Sequence, residues 1–334
     1  MTDGSDESLL ESHAIPVGAR VTVRVPASSA NLGPGFDSLG LSLAYYDDLV
    51  VTRLAGEGEL TFDLSGEGAD QVPRDANHLV VKAMQTAWKA AGLLELPSLH
   101  IQAHNRIPHS RGMGSSASAI VAGVSAANGL LPAELQLDAD TVLQICSGME
   151  GHPDNVAPSL FGQVVISYGD DSGWHSLPVP AHPEVLPVIA VPDYQVPTRV
   201  ARGLIPETVP HREAATNAGR AALLAQALTS YPEYLLPGTS DLLHQSYRAA
   251  AMKPSAALVQ HLRGLGYAAV ISGAGPTVMV LAQGQEQREH IGSAIAEFVT
   301  HPEAGTYEGQ PVTWRVLNID IDTQGVMLTY EENA

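Results

Sequence analysis

The sequence predicts an α+β protein built from two domains. Its 334 residues are enough to form two hydrophobic cores of ordinary size. Hydrophobic residues make up 45% of the chain and charged residues 16%, which is the composition of a globular protein. In the second half, stretches with helical spacing of apolar residues alternate with short apolar runs that can pair as antiparallel strands. That order of elements is typical of an α+β domain.

A polar stretch with Gly and Pro at residues 168–183 predicts the boundary between the domains. We expect an N-terminal domain at residues 15–175 and a C-terminal domain at residues 176–334. Residues 1–14 lack the basic and apolar segments of a secretory signal, so we expect a disordered leader. Because no apolar run reaches the length of a membrane span, the sequence predicts a cytoplasmic protein without a membrane partner.

The charge of the chain argues against nucleic acids as partners. The formal net charge is -19, whereas binding a polyanion needs clustered Lys and Arg. The chain has three lysines and no G-K-[ST] string, which excludes a Walker phosphate loop. A nucleotide site must therefore be locally positive or use Mg²⁺. The single cysteine, Cys146, excludes an internal disulfide, and its apolar surroundings favour a buried core thiol.

In the first half, apolar periodicity predicts a mixture of strands and helices. The clearest helix is residues 77–91, where Trp88 shares the apolar face and is expected in the core. Residues 48–54 and 59–64 are predicted to pair across the glycine turn between them. The other predicted elements are strands at residues 21–25 and 98–104 and helices at residues 119–127 and 138–147.

The second half is predicted to contain several helices and a hairpin. Residues 268–272 and 278–282 form the hairpin, and its glycine turn is a candidate ligand contact. Arg248 falls on a predicted helix at residues 241–251, where the pattern alone favours a solvated charge. The remaining elements are helices at residues 216–229 and 285–299 and strands at residues 162–167, 186–191, 313–320 and 326–330.

A glycine-rich stretch runs into the helix predicted at residues 119–127. Residues 108–119 are P-H-S-R-G-M-G-S-S-A-S-A. Glycine allows positive φ and close approach of the backbone to a ligand, and the N-terminus of a helix favours an anion, most simply a phosphate. Ser115 and Ser116 can cap the helix, bind phosphate oxygens or help to hold Mg²⁺. An ordinary capped helix after a glycine turn is the alternative.

The segment at residues 26–37, P-A-S-S-A-N-L-G-P-G-F-D, is predicted to be irregular because it combines small and polar residues with Gly and Pro. Asn31 and Asp37 offer an amide and a carboxylate from a backbone stiffened by Pro34. Such residues commonly make local turn hydrogen bonds. The segment alone therefore leaves a turn and a ligand site open.

Residues 148–158, G-M-E-G-H-P-D-N-V-A-P, are predicted to form a tight polar loop. Glu150, His152 and Asp154 alternate along it and match no standard transition-metal motif. Glu150 suits Mg²⁺ at a phosphate site, since Mg²⁺ prefers oxygen ligands. A solvated acidic turn is the alternative.

A fourth candidate segment is P-T-R-V-A-R at residues 197–202, which lies outside any obvious amphipathic helix. It offers the hydroxyl of Thr198 and two guanidinium groups. Because guanidinium groups match carboxylates in shape and charge, the segment suggests a clamp for an anion.

The order of these segments is more specific than any one of them. An early A-S-S-A-N-L-G-P-G-F-D, a central P-x-x-x-G-x-G-S-S-A, then E-G-H-P-D-N-V-A-P and a late S-G-A-G-P-T resemble the galactokinase, homoserine kinase, mevalonate kinase and phosphomevalonate kinase (GHMP) superfamily. The A-N-L-G-x-G-F-D and H-x-D-N-V-A-P strings resemble its homoserine kinase family. The resemblance covers nearly the whole chain, from residue 21 to residue 330.

The resemblance implies a two-domain GHMP kinase fold. The N-terminal domain would be like the second domain of ribosomal protein S5, and the C-terminal domain would be ferredoxin-like. The active site would lie between the domains. The implied reaction moves the γ-phosphoryl group of ATP to the side-chain hydroxyl of L-homoserine, a step of threonine biosynthesis. The resemblance also suggests a homodimer.

The resemblance assigns site residues by position. Those around the triphosphate of ATP would be Pro108, His109, Ser110, Arg111, Gly112, Met113, Gly114, Ser115, Ser116, Ala117 and Ser118. Those at the amino-acid substrate would be Asn31, Asp37, Asn155, Thr198, Arg202, Arg248, Gly273 and Gly275. The catalytic residues would be Asn155, Ser116 and Glu150, of which Ser116 and Glu150 would hold Mg²⁺.

The implied mechanism lacks a dedicated base. A loose phosphoryl-transfer transition state is stabilised mainly by positioning and charge neutralisation. Asn155, in the place of the aspartate of related kinases, cannot take a proton and would orient the hydroxyl, while the neighbouring Asp154 is a rival for the role of base.

Two other functions stay open on the sequence. One is another GHMP small-molecule kinase, although a zwitterionic substrate matches Asp37 and the two arginines better than a sugar or mevalonate does. The other is a non-catalytic regulator that binds a nucleotide or an amino acid on the same fold. Such a regulator would be expected to lack Glu150 or Asn155, and both are present.

Overall fold

A computed structural model describes residues 15–301 and 305–332 of the chain. The leader predicted at residues 1–14 lies outside the described residues. The helices are α1 Leu79–Ala90, α2 Ser115–Leu130, α3 Ala139–Glu150, α4 Pro153–Phe161, α5 Thr198–Arg202, α6 His211–Thr229, α7 Leu235–Gly238, α8 Gln245–Arg248, α9 Lys253–Gly264 and α10 Gly284–Phe298.

The strands form two main sheets and a small hairpin. They are β1 Arg20–Ala30, β2 Leu39–Glu57, β3 Leu60–Gly66, β4 Pro97–Asn105, β5 Val164–Asp170, β6 Gly173–Val179, β7 Val185–Pro192, β8 Ala268–Ile271, β9 Val278–Gln283, β10 Thr306–Tyr307, β11 Gln310–Pro311, β12 Trp314–Asn318 and β13 Met327–Glu331.

The first sheet has seven strands and follows the order β13-β1-β2-β4-β3, with β5 pairing to both β2 and β6. The second sheet has four strands in the order β12-β7-β9-β8. Apolar residues of α1 to α4 pack with the first sheet in one buried cluster, which includes Trp88 and Cys146. Burial raises the pKa of the Cys146 thiol to about 12, so the predicted core thiol is confirmed.

A second buried cluster joins the two sheets. It combines Leu32 and Leu41 from the first sheet side with Met279 and Leu281 on β9, and Met113 of the glycine-rich stretch belongs to it. A third cluster packs α9 and α10 against the other face of the second sheet. Because the glycine-rich stretch is anchored in the core between the sheets, it has a fixed position at their junction.

The predicted pairing of residues 48–54 with residues 59–64 is wrong. β2 pairs antiparallel with β4, and β3 pairs parallel with the far edge of β4, so β4 lies between the two strands expected to be neighbours. The turn residues Gly56 and Gly58 do have positive φ. The glycine turn therefore ends β2 without making β3 its neighbour. Both strands pair instead with β4, which follows α1 later in the chain.

Three further segments differ from the sequence expectation. β1 continues to Ala30, so residues 26–30 of the segment predicted to be irregular form a strand paired with β2. Residues 148–158 are the end of α3 and the first two turns of α4, with Pro153 at the start of α4, where proline is favoured. The helix predicted at residues 241–251 is a turn followed by the short α8 and a 3-10 turn.

The chain crosses between the sheets twice. β6 includes residues 175 and 176 and pairs with β5 in the first sheet, so the predicted boundary falls inside a strand. Near the end of the chain β13 returns to pair with β1. The division into residues 15–175 and 176–334 stays a prediction. Within the described part of the chain, no helix combines the length and the apolar character that crossing a bilayer requires.

Candidate active site

Residues from four of the predicted segments line one cavity of about 120 Å³ at the junction of the sheets. Its lining includes Asn31, Ser110, Gly112, Gly114, Ser115, Ser116, Glu150, His152, Asp154, Asn155, Thr198, Arg202, Arg248 and Gly273. A larger groove of about 780 Å³ lies beside α2 and β13, but its lining is mainly apolar and shares none of these residues. Convergent polar groups indicate a ligand site better than volume does, so we place the site in the smaller cavity.

The glycine-rich stretch forms the wall of the cavity with its backbone. Gly114 precedes α2 in the left-handed conformation, with φ 73°. A Cβ on Gly112 would overlap the carbonyl oxygen of Ser272, and one on Gly114 would overlap Ser28 Oγ. Both positions therefore need glycine for space as well as for φ. The N-terminus of α2, with its unpaired amide groups, is a suitable binding site for phosphate.

Several side chains of this stretch do not face the cavity. Met113 and Ala117 are fully buried in the core, and Ser118 Oγ donates to Asp47 Oδ2 at 3.3 Å. Arg111 donates to the carbonyl oxygens of Pro192 and Asp193 at 3.0 and 2.8 Å. Of residues 108–118, those that line the cavity are Ser110, Gly112, Gly114, Ser115 and Ser116, whereas Arg111 ties the stretch to β7. The assignment of the whole stretch to the triphosphate stays a prediction.

Ser116 and Glu150 meet at the N-terminus of α2. Ser116 Oγ donates to Glu150 Oε2 at 2.7 Å. Burial raises the pKa of Glu150, and the hydrogen bond from Ser116 opposes that rise. The carboxylate of Glu150 and the hydroxyl of Ser116 are two adjacent oxygen ligands, which suit a hard cation. A bound cation would also offset the cost of ionising the buried carboxylate. The structure thus brings together the pair predicted to hold Mg²⁺.

A second cavity of about 280 Å³ opens on the other side of Ser115 and Ser116, both of which also line the first cavity. Its lining is mixed, and it includes Asp47, Val72, Pro73, Asn77, Leu79, Ala103, His109, Ala119 and Ala122. The two cavities thus share the N-terminal turn of α2. A ligand with a phosphate on that turn can extend its remaining part into the second cavity.

Asp47 lies in the floor of this second cavity and was missed by the sequence reasoning. Its Oδ1 accepts the backbone N–H groups of Arg106 and Ile107 at 2.6 and 2.9 Å. Burial raises the pKa of Asp47 to about 6, against the opposing effect of these hydrogen bonds. Asp47 fixes the start of the glycine-rich stretch. The available signal was an acidic pair, Asp47 and Asp48, directly before an apolar run.

The early segment provides Asn31 and Asp37 as predicted. Asn31 Nδ2 donates to the carbonyl oxygen of Gly273 at 2.9 Å, and its Oδ1 accepts the N–H of Asp37 at 3.1 Å. The alternative of a local turn hydrogen bond is therefore also correct. Both residues have positive φ, so this turn is tightly specified. It places the Asp37 carboxylate beside Arg202.

Asp37 and Arg202 form a two-pronged ion pair. Arg202 Nη2 lies 2.7 Å from Asp37 Oδ1, and Nη1 lies 3.3 Å from Oδ2. Both side chains are about one third exposed, and Arg202 lines the cavity whereas Asp37 is not among its lining residues. Arg202 ends α5, the short helix that Thr198 begins. The predicted clamp is therefore helical. Thr198 and Arg202 line the cavity, whereas Arg199, the other arginine of the segment, is exposed and does not line it.

Arg248 is not the solvated charge that the helical pattern favoured, because only 1% of it is exposed. Its Nη1 donates to His244 Nδ1 at 3.0 Å and to the Gly273 carbonyl oxygen at 3.2 Å. Burial, with the nearby charge of Arg202, lowers the pKa of Arg248 to about 10. It remains a cation at neutral pH. The resemblance, which assigned Arg248 to the cavity, was the better guide.

Asn155 lies on the first turn of α4 with its amide oriented by Ser28. Ser28 Oγ donates to Asn155 Oδ1 at 3.0 Å, so the Nδ2 group, on the other side of the amide, can donate to a ligand. Asn155 thus offers hydrogen-bond donors to the cavity. Ser28 was missed, although it belongs to the A-S-S-A-N string that carried the resemblance.

Asp154 and His152 form a short hydrogen-bonded ion pair. Burial lowers the pKa of His152, but the hydrogen bond and charge of Asp154 outweigh it, so the pKa is raised overall. Asp154 Oδ2 is buried and has no hydrogen-bond partner among the described residues. Oxygen and nitrogen atoms of Asp37, His152 and Asp154 lie within 4.8 Å of one another, which makes this side of the cavity a site for a positive group.

Of the two predicted glycines, only Gly273 lines the cavity. Gly275 does not line it, and its assignment to the substrate stays a prediction. Its N–H donates to the Ser272 carbonyl oxygen at 2.9 Å, and a Cβ there would press on Met252. The turn between β8 and β9 therefore meets the cavity through Gly273, while Gly275 shapes the turn from inside the second domain.

Sequence comparisons connect this geometry with known proteins. The N-terminal domain of the GHMP kinases matches residues 78–163, and their C-terminal domain matches residues 213–301. A homoserine kinase from Clavibacter michiganensis subsp. michiganensis is 48% identical over 93% of this chain and 95% of its own. The chain belongs to the homoserine kinase family. A homoserine kinase from Streptomyces coelicolor is 52% identical over 79% of this chain and 85% of its own.

The solved structures agree on the GHMP kinase fold. A crystal structure of homoserine kinase from Cytophaga hutchinsonii superposes with a TM-score of 0.80, at 23% identity, and covers 93% of this chain and 97% of its own. At that identity the likeness establishes the fold. The two-domain α+β fold predicted from the sequence is confirmed, as are the resemblance to this family and the enzyme class, an ATP-dependent kinase.

Proposed function

We propose that this protein transfers the γ-phosphoryl group of ATP to the side-chain hydroxyl of L-homoserine, giving O-phospho-L-homoserine. One observation carries the proposal. The N-terminus of α2 with the Ser116–Glu150 pair and two arginines, Arg202 and Arg248, line the same cavity of about 120 Å³, and Arg202 is ion-paired with Asp37. One side suits a triphosphate, and the other suits an amino acid with a carboxylate and an ammonium group.

ATP would lie across the N-terminal turn of α2. The backbone N–H groups there would bind phosphate oxygens, and the second cavity of about 280 Å³ would hold the nucleoside. Its mixed lining suits a base and a ribose better than it suits a charged group. A chain of net charge -19 needs such a locally positive site, because its long-range field repels a polyanion.

Ser116 and Glu150 would hold a divalent cation, for which we propose Mg²⁺. Both offer oxygen ligands, and burial raises the pKa of Glu150, so a cation beside it would compensate for the cost of its charge. When bound, the metal neutralises negative charge on the phosphates. The protein's own part is to fix the hydroxyl and the carboxylate in the orientation that their hydrogen bond shows.

L-homoserine would be held by its two charges. Asp37, close to Asp154, lies on the side that suits the ammonium group, and Arg202 and Arg248 would bind the carboxylate, since the guanidinium fork matches a carboxylate. Thr198 lines the cavity next to them. A substrate held at both ends places its side-chain hydroxyl in one direction, toward Asn155 and the phosphate site.

Transfer would proceed without a dedicated base. Asn155 Oδ1 is engaged by Ser28, so the amide presents donors that can orient the attacking oxygen. Asp154, the rival base, is already ion-paired with His152. In a loose transition state the hydroxyl keeps its proton until late, and positioning with charge neutralisation lowers the barrier. These contacts favour an orienting role for Asn155.

The decisive assay is ADP release with Mg-ATP and, in parallel, L-homoserine, L-serine, mevalonate and galactose. We expect strong turnover with L-homoserine alone, because it presents both charges and a hydroxyl one carbon beyond that of serine. Turnover with mevalonate or galactose instead would overturn the amino-acid pocket and retain a GHMP kinase. Binding of ATP with no turnover on any of the four would favour the regulator.

Two further proposals concern the state of the protein in the cell. We propose a homodimer, which sedimentation equilibrium would test directly against a mass of 35.1 kDa for one chain. We also propose a cytoplasmic location, since ATP and amino-acid biosynthesis are found there. Fractionation of cells that carry a tagged chain would test it.

A further inference from the structure

His244 lies behind the substrate cavity, in the turn that precedes α8. It is fully buried and is not among the residues that line the cavity. Its neighbour Arg248 does line the cavity. Sequence reasoning gave His244 no role.

Two hydrogen bonds assign the tautomer of His244. Its Nε2 lies 2.8 Å from the Gly33 carbonyl oxygen, which can only accept, so Nε2 carries a proton. Its Nδ1 lies 3.0 Å from Arg248 Nη1, which can only donate, so Nδ1 has a lone pair. The network therefore requires a neutral imidazole that is protonated on Nε2 alone.

The charges around His244 are compatible with that neutral state. Burial lowers its pKa, the negative charge of Asp241 opposes this, and the positive charge of Arg248 reinforces it, while Asp37 opposes it more weakly. Asp241 Oδ1 lies 3.7 Å from Nε2, but its carboxylate already accepts backbone N–H groups of residues 243, 244 and 245. The outcome is a lowered pKa.

Phe36 extends the contact to the other arginine. Its ring stacks on His244 with centroids 5.2 Å apart. The guanidinium carbons of Arg202 and Arg248 lie 5.7 and 5.6 Å from the centroid of the same ring, within the range of cation–π attraction. His244 thus contacts Arg248 directly and contacts the ring shared by both arginines.

We propose that His244 is a positioning residue that holds Arg248 in reach of the substrate carboxylate and couples it to the loop that carries Asp37. The proposal rests on the proposed function of Arg248. Without the Nδ1 acceptor, Nη1 of Arg248 would keep the Gly273 carbonyl as its partner and would be less well oriented. Without the Nε2 donor, the Gly33 carbonyl would lose a partner inside the loop.

His244→Leu tests this role because leucine fills part of the space but has neither donor nor acceptor. We expect KM for L-homoserine to rise about tenfold or more, as for loss of a hydrogen bond to a charged group, with KM for ATP changed less than about twofold. His244→Gln keeps an amide donor and an acceptor and should recover most of the loss. His261→Gln, at a half-buried histidine packed on Phe298, is the matched control.

The pH dependence separates positioning from simple packing. In the unsubstituted protein, protonation of Nδ1 at acidic pH removes the acceptor and places a positive charge beside Arg248, so KM for L-homoserine should rise. His244→Gln keeps Asp241, Asp37, Arg202 and Arg248 but has no group that titrates there. The difference between the two pH profiles therefore reports His244 alone. Superimposable profiles would overturn the proposal.

A nitrogen NMR spectrum of the full chain tests the tautomer independently of activity. One of the 13 histidines should show a protonated Nε2 and an unprotonated Nδ1 at pH 7, and that signal should be missing from His244→Gln. A protonated Nδ1 at His244 would overturn the proposal even if His244→Leu does not fold. If the signal is as expected but L-homoserine is not turned over, the proposed function fails and the support of Arg248 by His244 stands.

Discussion

Ser116 Oγ and Glu150 Oε2 lie 2.7 Å apart although the two residues are 34 positions apart in the chain. Ser116 lies in the first turn of α2, and Glu150 is the last residue of α3. The packing of these two helices therefore brings a hydroxyl and a carboxylate to the helix end that suits phosphate. Neither residue would form a metal site on its own element.

Glu150→Gln should therefore reduce kcat/KM at least about 100-fold, the upper range seen when groups that merely support a metal ligand are removed. The carboxamide keeps the size and can still accept from Ser116, but it lacks the negative charge. Ser116→Ala should cost less, about tenfold, and raised Mg²⁺ should recover part of it. Steady-state rates over a Mg²⁺ titration measure both. An unchanged Mg²⁺ dependence in Glu150→Gln would contradict the metal assignment.

Asn155→Ala should lower kcat about 100-fold, within the range attributed to correct positioning of a reacting group, while the affinity for ATP stays within about twofold. The reason is that Asn155 lines the cavity with its amide oriented by Ser28, and we propose that it orients the attacking hydroxyl. Single-turnover rates and equilibrium binding of ATP separate the two effects. A loss confined to ATP binding would remove Asn155 from the chemical step.

Asp154→Asn provides the matched comparison on the adjacent residue. If Asp154 only neutralises His152, the substitution should have a smaller effect on kcat than Asn155→Ala has. If Asp154 is the base, kcat should fall by about 100- to 10,000-fold, which is the usual contribution of general-base catalysis. In that case the base-free mechanism is wrong and the assignment of the substrate can still hold.

Arg202→Lys should raise KM for L-homoserine about 10- to 100-fold, since an ammonium cannot reproduce two parallel hydrogen bonds to a carboxylate. The substitution also breaks the two-pronged contact with Asp37. KM for ATP should change little. Arg199→Lys, at an exposed position of the same short helix, is the control. If Arg202→Lys and Arg199→Lys change KM for L-homoserine equally, the positive charge at residue 202 is sufficient and the shape of the guanidinium group is not needed.

The sequence was sufficient to predict most of the cavity because the motifs lie in short segments whose chemistry is local. The order of these segments pointed to Asn31, Gly114 and Glu150, all of which line the cavity, and to Asp37, whose N–H donates to Asn31. The sequence pattern gave a wrong expectation where contacts with distant parts of the chain determine whether a side chain is buried. A helical pattern favours exposure for a lone arginine, whereas the second domain buries Arg248 beneath a histidine and a glycine carbonyl.

The errors in the fold have the same origin. β2 and β3 are neighbours in sequence and are joined by a glycine turn. In the sheet, however, β4 lies between them and pairs with β2 along one edge and with β3 along the other. The assignment of Gly275 to the substrate stays a prediction, and Met252 from another element limits the space at that glycine. Turns and the periodicity of helices and strands can be predicted from the local sequence. The order of strands in a sheet depends on contacts with segments that are distant in the chain.

Asp47→Asn should make the stability of the protein less dependent on pH. The pKa of Asp47 is raised from 3.8 to about 6, so between these values the folded state binds a proton that the unfolded state has released. Unfolding free energy therefore falls as pH rises through this window, by about 3 kcal/mol in total. The carboxamide keeps an acceptor for the two backbone N–H groups and carries no charge to bury.

Urea unfolding of the unsubstituted protein and of Asp47→Asn at several pH values between 4 and 8 measures this effect. The free energy of Asp47→Asn relative to the unsubstituted protein should rise with pH and level off above pH 7, because the buried charge is then fully formed. Asp70→Asn, at an exposed aspartate, should show no such rise. A parallel pH profile for all three proteins would mean that water or the hydrogen bonds of Arg106 and Ile107 fully compensate the Asp47 charge, and that its burial has no cost.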